Sequence, residues 1–171
     1  PYAAQISANA ARAAQLAGVP CWALRRPGWQ AGARDDWREV ADWPALIEAL
    51  KNFRRPLFTM GREPLEHLDE IPAHQHWTVR CLQSQPGTAR AEVLGARGPF
   101  TLEGERELFN RLGTDVLVSK NSGSQATEPK LQIARERGVP VLILARPLLP
   151  AVDCEFDSID SLWAALEGRL L

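Results

Sequence analysis

Residues 115–147 read DVLVSKNSGSQATEPKLQIARERGVPVLILARP, and this pattern predicts a strand, a loop, a helix and a second strand. The apolar runs at 115–119 and 140–145 do not alternate with polar residues, as is typical of parallel strands buried on both faces. Apolar residues at helical spacing lie between the runs, and Gly138 occupies the place of a helix C-terminal glycine. The stretch therefore predicts a right-handed βαβ unit in a parallel sheet.

The turn after the first of these strands combines a glycine with a cation. It consists of Lys120, Asn121, Ser122 and Gly123. It leaves the carboxyl end of a strand, which is the edge where open α/β sheets bind ligands. We expect it to lead into the helix, whose unpaired N–H groups attract anions, with Lys130 as a second cation. The alternative is an ordinary N-capping turn with two solvated lysines, and spacing alone favours neither interpretation.

Length and composition limit the classes of function. The chain has 171 residues, of which 45% are hydrophobic and 24% charged, and its formal net charge is −1. These values are typical of one globular domain or two small ones, and without a basic field nucleic acid is not an expected partner. No apolar run has the length of a membrane span, and no secretory signal is visible. Cys21, Cys81 and Cys154 are odd in number and far apart, so we expect thiols in the reducing cytoplasm.

Metal sites and serine-hydrolase sites are not expected. His67, His74 and His76 have no cluster of Cys, Asp or Glu that would complete a ligand set, so we expect solvent-exposed histidines. Ser122 lies in N-S-G-S and not in the G-x-S-x-G motif of hydrolases. The predicted metal content is therefore none.

Two parts of the sequence repeat the same order of elements. Residues 18–27 and 138–147 both contain Gly-Val-Pro, a short apolar strand and Arg-Pro, at a constant offset of 120 positions. A short strand and a capped helix follow in both, at an offset of 116 positions. The predicted fold is therefore α/β, with two Rossmann-like parallel-sheet units related by internal duplication. We expect residues 1–52 to belong to an N-terminal Rossmann-like domain, residues 53–150 to form a C-terminal α/β domain, and residues 151–171 to be a strand and helix returning to the first unit.

The duplication also predicts what the first unit lacks. The position 120 residues before Lys120 falls just before Pro1, so Pro1 and Tyr2 are expected to be equivalent to Asn121 and Ser122. We therefore expect the N-terminal strand or strands of the first unit, with a phosphate-binding glycine loop, to lie outside these 171 residues.

Two further loops carry a glycine beside an arginine directly after the apolar runs at 56–60 and 91–96. They contain Gly61 and Arg62 in the first case and Arg97 and Gly98 in the second. If all these strands are parallel, three such loops meet at one edge of the sheet. That arrangement suits a ligand with several carboxylates or phosphates. The alternative for each arginine taken alone is a surface side chain beside a turn.

Taken together, these motifs resemble those of the precorrin-6A reductase family of corrin biosynthesis. They are T-M-G-R at 59–62, G-A-R-G-P-F-T-L-E at 95–103, D-V-L-V-S-K-N-S-G at 115–123, T-E-P-K at 127–130, and G-V-P-V with R-P within 138–147. The opening P-Y-A-A-Q-I-S-A-N-A is similar to the segment that follows the family's T-H-P-type strand end. The resemblance covers nearly the whole chain.

The resemblance implies two Rossmann-like domains and an NAD(P)H-dependent reduction of one double bond of the precorrin-6A macrocycle. NADPH is the implied hydride donor, with NADH as the alternative, and the tetrapyrrole substrate carries acetate and propionate carboxylates. The implied site residues are Lys120, Asn121, Ser122 and Gly123 for anion binding, Lys130, Arg97 and Arg62 for electrostatic attraction, Phe100 for packing against a flat ring, and Thr59, Gly61 and Gly98 in the same loops. The sequence identifies no general acid.

Two other hypotheses stay open at this point. One is a non-redox binding module of the same architecture for a phosphorylated or polycarboxylate ligand. The other is that these 171 residues provide half of an enzyme and are inactive alone, because the glycine loop lies outside them. The sequence does not decide between NADPH and NADH, between cobalt-free and cobalt-bearing substrate, or between oligomeric states.

Overall fold

A computed structural model describes residues 2–170, with the backbone alone for Arg169 and Leu170. The strands are β1 Trp22–Leu24, β2 Trp37–Val40, β3 Pro56–Phe58, β4 Trp77–Cys81, β5 Ala91–Gly95, β6 Val116–Lys120, β7 Val141–Leu144 and β8 Cys154–Phe156. The helices are α1 Ala4–Ala17, α2 Trp43–Leu50, α3 Leu102–Leu112, α4 Pro129–Arg137 and α5 Ile159–Leu170, with 3-10 segments at Glu63–Glu70 and Gln125–Thr127. Pro1 and Leu171 lie outside the described residues, and so does the predicted equivalence of Pro1 and Asn121.

The elements divide into two units, one of residues 30–145 and one of residues 2–29 with 146–170. The larger unit is a six-stranded sheet in the order β2-β7-β6-β3-β4-β5, and every neighbouring pair in it is parallel. The predicted α/β class with parallel strands is therefore confirmed. None of the helices within residues 2–170 has the length and apolar composition needed to cross a membrane.

Helices cover both faces of the larger sheet, as expected when parallel strands are apolar throughout. α2 buries Leu46 and Leu50 in a core that also contains Phe58 and Trp77. α3 and α4 pack against each other and bury further apolar side chains outside that core. All five residues of β4 are buried as a result.

The βαβ stretch forms as predicted, with one difference at its turn. β6, α4 and β7 follow one another, and Gly138 ends α4 with a φ of 63°, in the left-handed region that glycine tolerates best. The turn does not lead directly into the helix, because residues 121–124 and the 3-10 segment intervene before α4 begins at Pro129. Proline suits this first position, since it has no N–H to leave unpaired. The expectation that the Lys120–Gly123 turn forms the amino end of the helix is therefore wrong.

The smaller unit joins residues from both ends of the described chain. β1 and β8 form a two-stranded parallel sheet in which Trp22 pairs with Cys154, and the rings of Trp22 and Phe156 lie 5.3 Å apart. An ion pair of 2.5 Å joins Arg25 to Glu155 across the same strands. None of the described residues of this unit is fully buried.

The division into units differs from the boundaries expected at 52 and 150. Residues 30–52 lie in the larger unit because β2 pairs along its length with β7, from Trp37 opposite Val141 to Val40 opposite Leu144. Residues 146–170 lie with residues 2–29 because β8 pairs with β1. Strand pairing, and not proximity in sequence, assigns each edge strand to its unit.

The same pairings have a regularity that supports the internal duplication. β1 corresponds to β7 at an offset of 120 positions, and β2 corresponds to β8 at an offset of 116. Applying these offsets converts the Trp22–Cys154 pair into the Leu142–Arg38 pair, which the larger sheet contains. The register of the two sheets is thus equivalent at these strands, while the duplication itself stays a prediction.

Candidate functional site

The carboxyl ends of the parallel strands share one edge of the larger sheet, and the predicted loops leave from this edge. Thr59, Gly61 and Arg62 follow β3, Arg97, Gly98 and Phe100 follow β5, and Lys120, Asn121, Ser122 and Gly123 end or follow β6. The order β6-β3-β4-β5 places all three loops on four neighbouring strands.

Contacts tie these loops to one another. Lys120 Nζ lies 3.2 Å from Glu63 Oε2, so an ion pair joins the end of β6 to the loop after β3. The backbone N–H of Phe100 donates to the carbonyl oxygen of Ala126 at 3.0 Å and joins the loop after β5 to the segment before α4. The loops therefore form one continuous surface.

A cavity of about 210 Å³ lies between the loops. The predicted site residues in its wall are Thr59, Gly61, Gly98, Phe100 and Lys130. Arg80, Cys81, Leu82, Ala96 and Thr127 complete the wall. The structure thus brings five of the predicted residues together around one open cavity.

The other predicted residues lie at the same edge but outside this wall. Arg62 and Arg97 are exposed, where solvent screens their charges. Asn121, Ser122 and Gly123 are half-buried, and the Ser122 hydroxyl accepts a hydrogen bond of 3.4 Å from the N–H of Ser124. Gly123 has a φ of 66°, which explains why glycine occupies the turn.

Lys130 is almost fully buried, with 4% of its surface exposed, unlike Arg62 and Arg97. Its Nζ donates to Thr59 Oγ1 at 2.9 Å, and the Thr59 hydroxyl donates in turn to the carbonyl oxygen of Val118 at 3.0 Å. Burial first and the charge of Arg80 second lower the pKa of Lys130, the carboxylate of Glu105 raises it, and the result is a pKa of about 7. The alternative of a solvated lysine is therefore wrong for Lys130. The adjacent Leu131 was the signal in the sequence that this turn of helix faces the core.

Sequence reasoning missed the buried ion pair of Arg80 and Glu105. Arg80 Nη1 donates to Glu105 Oε1 at 2.5 Å, with side-chain exposures of 6% and 1%. The guanidinium of Arg80 also lies over the ring of Phe100, 4.0 Å from its centroid. The available signal was an arginine inside an apolar strand, which requires a buried acidic partner.

Two buried cations and one carboxylate meet beside the cavity, and this combination defines its chemistry. Its net charge with Lys130 protonated is positive, and burial brings the pKa of Lys130 down to about 7. Within residues 2–170, no group of three or more His, Cys, Asp or Glu side chains is arranged to hold a metal ion. The geometry points to acid–base and anion-binding chemistry centred on Lys130 and Arg80.

Comparisons with known proteins agree with the sequence motifs. The family model described as "Precorrin-6x reductase CbiJ/CobK" matches residues 1–167. The chain is 38% identical over 159 residues to the precorrin-6A reductase of Rhodobacter capsulatus, covering 90% of this chain and 62% of the relative. It is 37% identical over 163 residues to the precorrin-6A reductase of Rhodococcus erythropolis, covering 93% of this chain and 65% of the relative.

A solved structure shares the fold over almost the whole chain. The structure described as "CobK precorrin-6A reductase" matches with a TM-score of 0.89 and 34% sequence identity, covering 99% of this chain and 68% of that chain. The chain spans less than two thirds of the length of the two curated relatives described above.

Proposed function

Since this chain belongs to the precorrin-6x reductase family CbiJ/CobK, we propose that its protein reduces one double bond of the precorrin-6A macrocycle in cobalamin biosynthesis. The observation that carries the proposal is the buried Lys130 in a cavity whose wall comes from the family-like motifs. Both curated relatives named above are described as precorrin-6A reductases. Because the chain spans 62% and 65% of their lengths, the activity, substrate and cofactor are proposed for the protein as a whole.

Lys130 is the proposed source of the proton. Reduction of a double bond adds a hydride to one atom and a proton to the other, so the reaction needs both. With a pKa of about 7, Lys130 holds its proton in about half of the molecules at neutral pH, which suits a general acid. Thr59 fixes the direction of the ammonium group, because its hydroxyl hydrogen is committed to the Val118 carbonyl.

NADPH is the proposed hydride donor, with NADH as the alternative. The cavity of about 210 Å³ does not fit a whole dinucleotide, because it is smaller than most ligand pockets, which run from about 300 to 1,000 Å³. The turn at 120–124 also has one glycine where dinucleotide fingerprints have three. We therefore assign no step to cofactor contacts within these residues. A bound nicotinamide supplies the hydride, and the residues described here bind, orient and protonate.

The carboxylate arms of a tetrapyrrole suit the charges at this edge of the sheet. Exposed Arg62 and Arg97 attract an anionic ligand over several ångströms, and the Lys120–Gly123 turn offers further polar contacts. Phe100 is proposed to pack against the macrocycle with the ring face opposite Arg80. The three cysteines are free thiols, which fits the proposed cytoplasmic location.

A non-redox binding module is the second candidate. The small volume of the 210 Å³ cavity favours it. In that case the same cavity binds a carboxylate or phosphate ligand without hydride transfer. We also propose that the 171 residues do not turn over alone, since the curated relatives named above are about half as long again.

One experiment separates these possibilities. Precorrin-6A and NADPH are incubated without oxygen with the natural protein that contains these residues, and in parallel with the 171-residue chain. We expect mass spectrometry to show a product with two added hydrogens for the natural protein and not for the chain. No such product from the natural protein, with binding of the macrocycle intact, would establish the binding module instead. Turnover by the 171-residue chain would refute only the proposed inactivity of the chain alone.

A further inference from the structure

Arg80 is a buried arginine whose donors are mostly unused. It lies at the carboxyl end of β4, with a side chain that is 6% exposed. A guanidinium has five N–H donors, and the described residues take one hydrogen bond from it, at Glu105 Oε1. Arg80 forms part of the wall of the 210 Å³ cavity and of a second cavity of about 400 Å³ beside it. Its remaining donors are therefore available to a ligand.

Building on the proposed function, we infer that Arg80 binds one carboxylate arm of the tetrapyrrole and so determines specificity for a polycarboxylate macrocycle. Glu105 holds one corner of the guanidinium, and the ring of Phe100 covers one of its faces. The free edge of the planar fork matches the two oxygens of a carboxylate. Leu82 and Ala96 add apolar surface to the wall beside the guanidinium.

The charges beside the cavity favour a carboxylate over a phosphate. The positive charge of Arg80 is offset by Glu105, so protonated Lys130 leaves a single net positive charge. One carboxylate neutralises that charge, whereas a phosphate dianion would leave a buried negative charge uncompensated. A ligand with one carboxylate at this point is therefore the better match.

Glu105 shows that the pair is arranged for the orientation of Arg80. Its Oε2 is buried and has no hydrogen-bond partner among residues 2–170. An unsatisfied carboxylate oxygen lowers stability. The presence of Glu105 is explained if its hydrogen bond holds the guanidinium of Arg80 in the orientation that a ligand needs.

The test uses uroporphyrin, a planar tetrapyrrole with acetate and propionate arms, and its octamethyl ester as the uncharged control. Binding to the 171-residue chain is measured by fluorescence titration. We expect the free acid to bind more tightly than the ester. Arg80→Lys keeps the charge but loses the fork, and should weaken uroporphyrin binding about tenfold or more without weakening that of the ester.

Arg80→Met alone leaves Glu105 buried without a partner, so loss of binding by that variant would not be separated from unfolding. The double variant Arg80→Met/Glu105→Met replaces both charges with side chains of similar volume and should keep the fold, as checked by circular dichroism. We expect it to bind uroporphyrin no more tightly than the ester.

Several outcomes would overturn the inference. The first is that the unmodified chain does not bind uroporphyrin, and the second is that it binds uroporphyrin no more tightly than the Arg80 variants do. The third is that the variants lose binding of inorganic pyrophosphate or NADPH but still bind uroporphyrin. The last outcome would assign Arg80 to a phosphate of the cofactor. Failure of the reduction assay with Arg80-dependent binding intact would refute the reductase proposal and leave this subsite standing.

Discussion

Lys130 Nζ lies 2.9 Å from Thr59 Oγ1, although the two residues are 71 positions apart in sequence. The Thr59 hydroxyl points its hydrogen at the carbonyl oxygen of Val118, so its lone pairs are left to accept from the lysine. This chain of two hydrogen bonds connects α4 to β3 and β6. It also supports the ammonium form of a lysine that burial otherwise disfavours.

Replacing Thr59 tests this connection. Thr59→Val keeps the shape of the side chain but removes the acceptor, so we expect a loss of about 1 kcal/mol in the free energy of unfolding by urea. The pKa of Lys130 should fall further, because its charged form loses a hydrogen bond. Thr59→Ser keeps the hydroxyl and serves as the control, with a smaller loss. Equal losses in the two variants would mean that the hydroxyl contributes nothing.

The titration of Lys130 is measurable directly. Nuclear magnetic resonance of labelled lysine side chains should show one amine with a pKa of about 7, and Lys130→Gln should remove that signal. The cause is burial first and the charge of Arg80 second. A midpoint for Lys130 near the ordinary 10.5 would contradict both its buried position and its proposed role as a proton donor.

The same shift makes stability depend on pH in alkaline solution. The pKa of Lys130 is about 7 in the folded protein and 10.5 in the unfolded chain. Between these two pH values the unfolded chain therefore binds more protons than the folded protein. The contribution of Lys130 to the free energy of unfolding should therefore rise with pH through this window, by at most about 1.4 kcal/mol per pH unit. Lys130→Met should flatten this part of the curve, as measured by urea unfolding from pH 7 to 10. An unchanged slope would show that Lys130 is not desolvated.

The ion pair of Asp35 and Arg135 should make stability depend on pH in acid, with the same sign. Arg135 Nε and Nη2 donate to the two carboxylate oxygens of Asp35 at 2.7 and 2.8 Å, and the Asp35 side chain is 1% exposed. The hydrogen bonds from Arg135 lower the pKa of Asp35 below 3.8. This stabilisation is present above pH 3.8 and is lost as pH falls through the lowered pKa.

Asp35→Asn should therefore lower stability at neutral pH and flatten its loss in acid, as measured by thermal unfolding from pH 2 to 5. Asp36→Asn is the control, because the Asp36–Arg38 pair is exposed and should contribute about 1 kcal/mol or less. Equal effects of the two substitutions would contradict a special role for the buried carboxylate.

Two helix-ending glycines should respond alike to substitution. Gly18 and Gly138 have φ values of 65° and 63°, and a Cβ on either would meet no atom within 4 Å. Each change to alanine should therefore cost about 1 kcal/mol through backbone strain alone. Gly168→Ala, in α5 and without a positive φ, should be neutral or stabilising. A neutral Gly138→Ala would contradict the left-handed conformation.

Local patterns were sufficient for the elements and for the edge that carries the loops. The βαβ stretch and the loops after β3 and β5 follow from short-range spacing. The Arg80–Glu105 pair does not, because it joins a strand to a helix 25 positions later, and charge alone does not reveal which acid is buried. The depth of Lys130 depends likewise on how α3 and α4 pack over the sheet.

The grouping of β2 with β7 was also beyond local patterns. Neighbouring elements suggested that β2 stays with β1, but the two strands belong to different sheets. β2 pairs instead with β7, through contacts between residues such as Arg38 and Leu142, which are more than a hundred positions apart. The offsets in sequence indicate that two strands are related, but they do not indicate with which strand each of them pairs.

The pairing of β1 with β8 imposes an order on biosynthesis. All strands of the larger sheet precede β8 in the chain, so that sheet has its full set of strands before β8 is made. β1 has no strand partner within the described chain until Cys154–Phe156 emerge, so the earliest of these strands to be synthesised waits longest for its neighbour. A released chain that ends before residue 154 should therefore protect the backbone amides of β6 from hydrogen exchange and leave those of β1 unprotected.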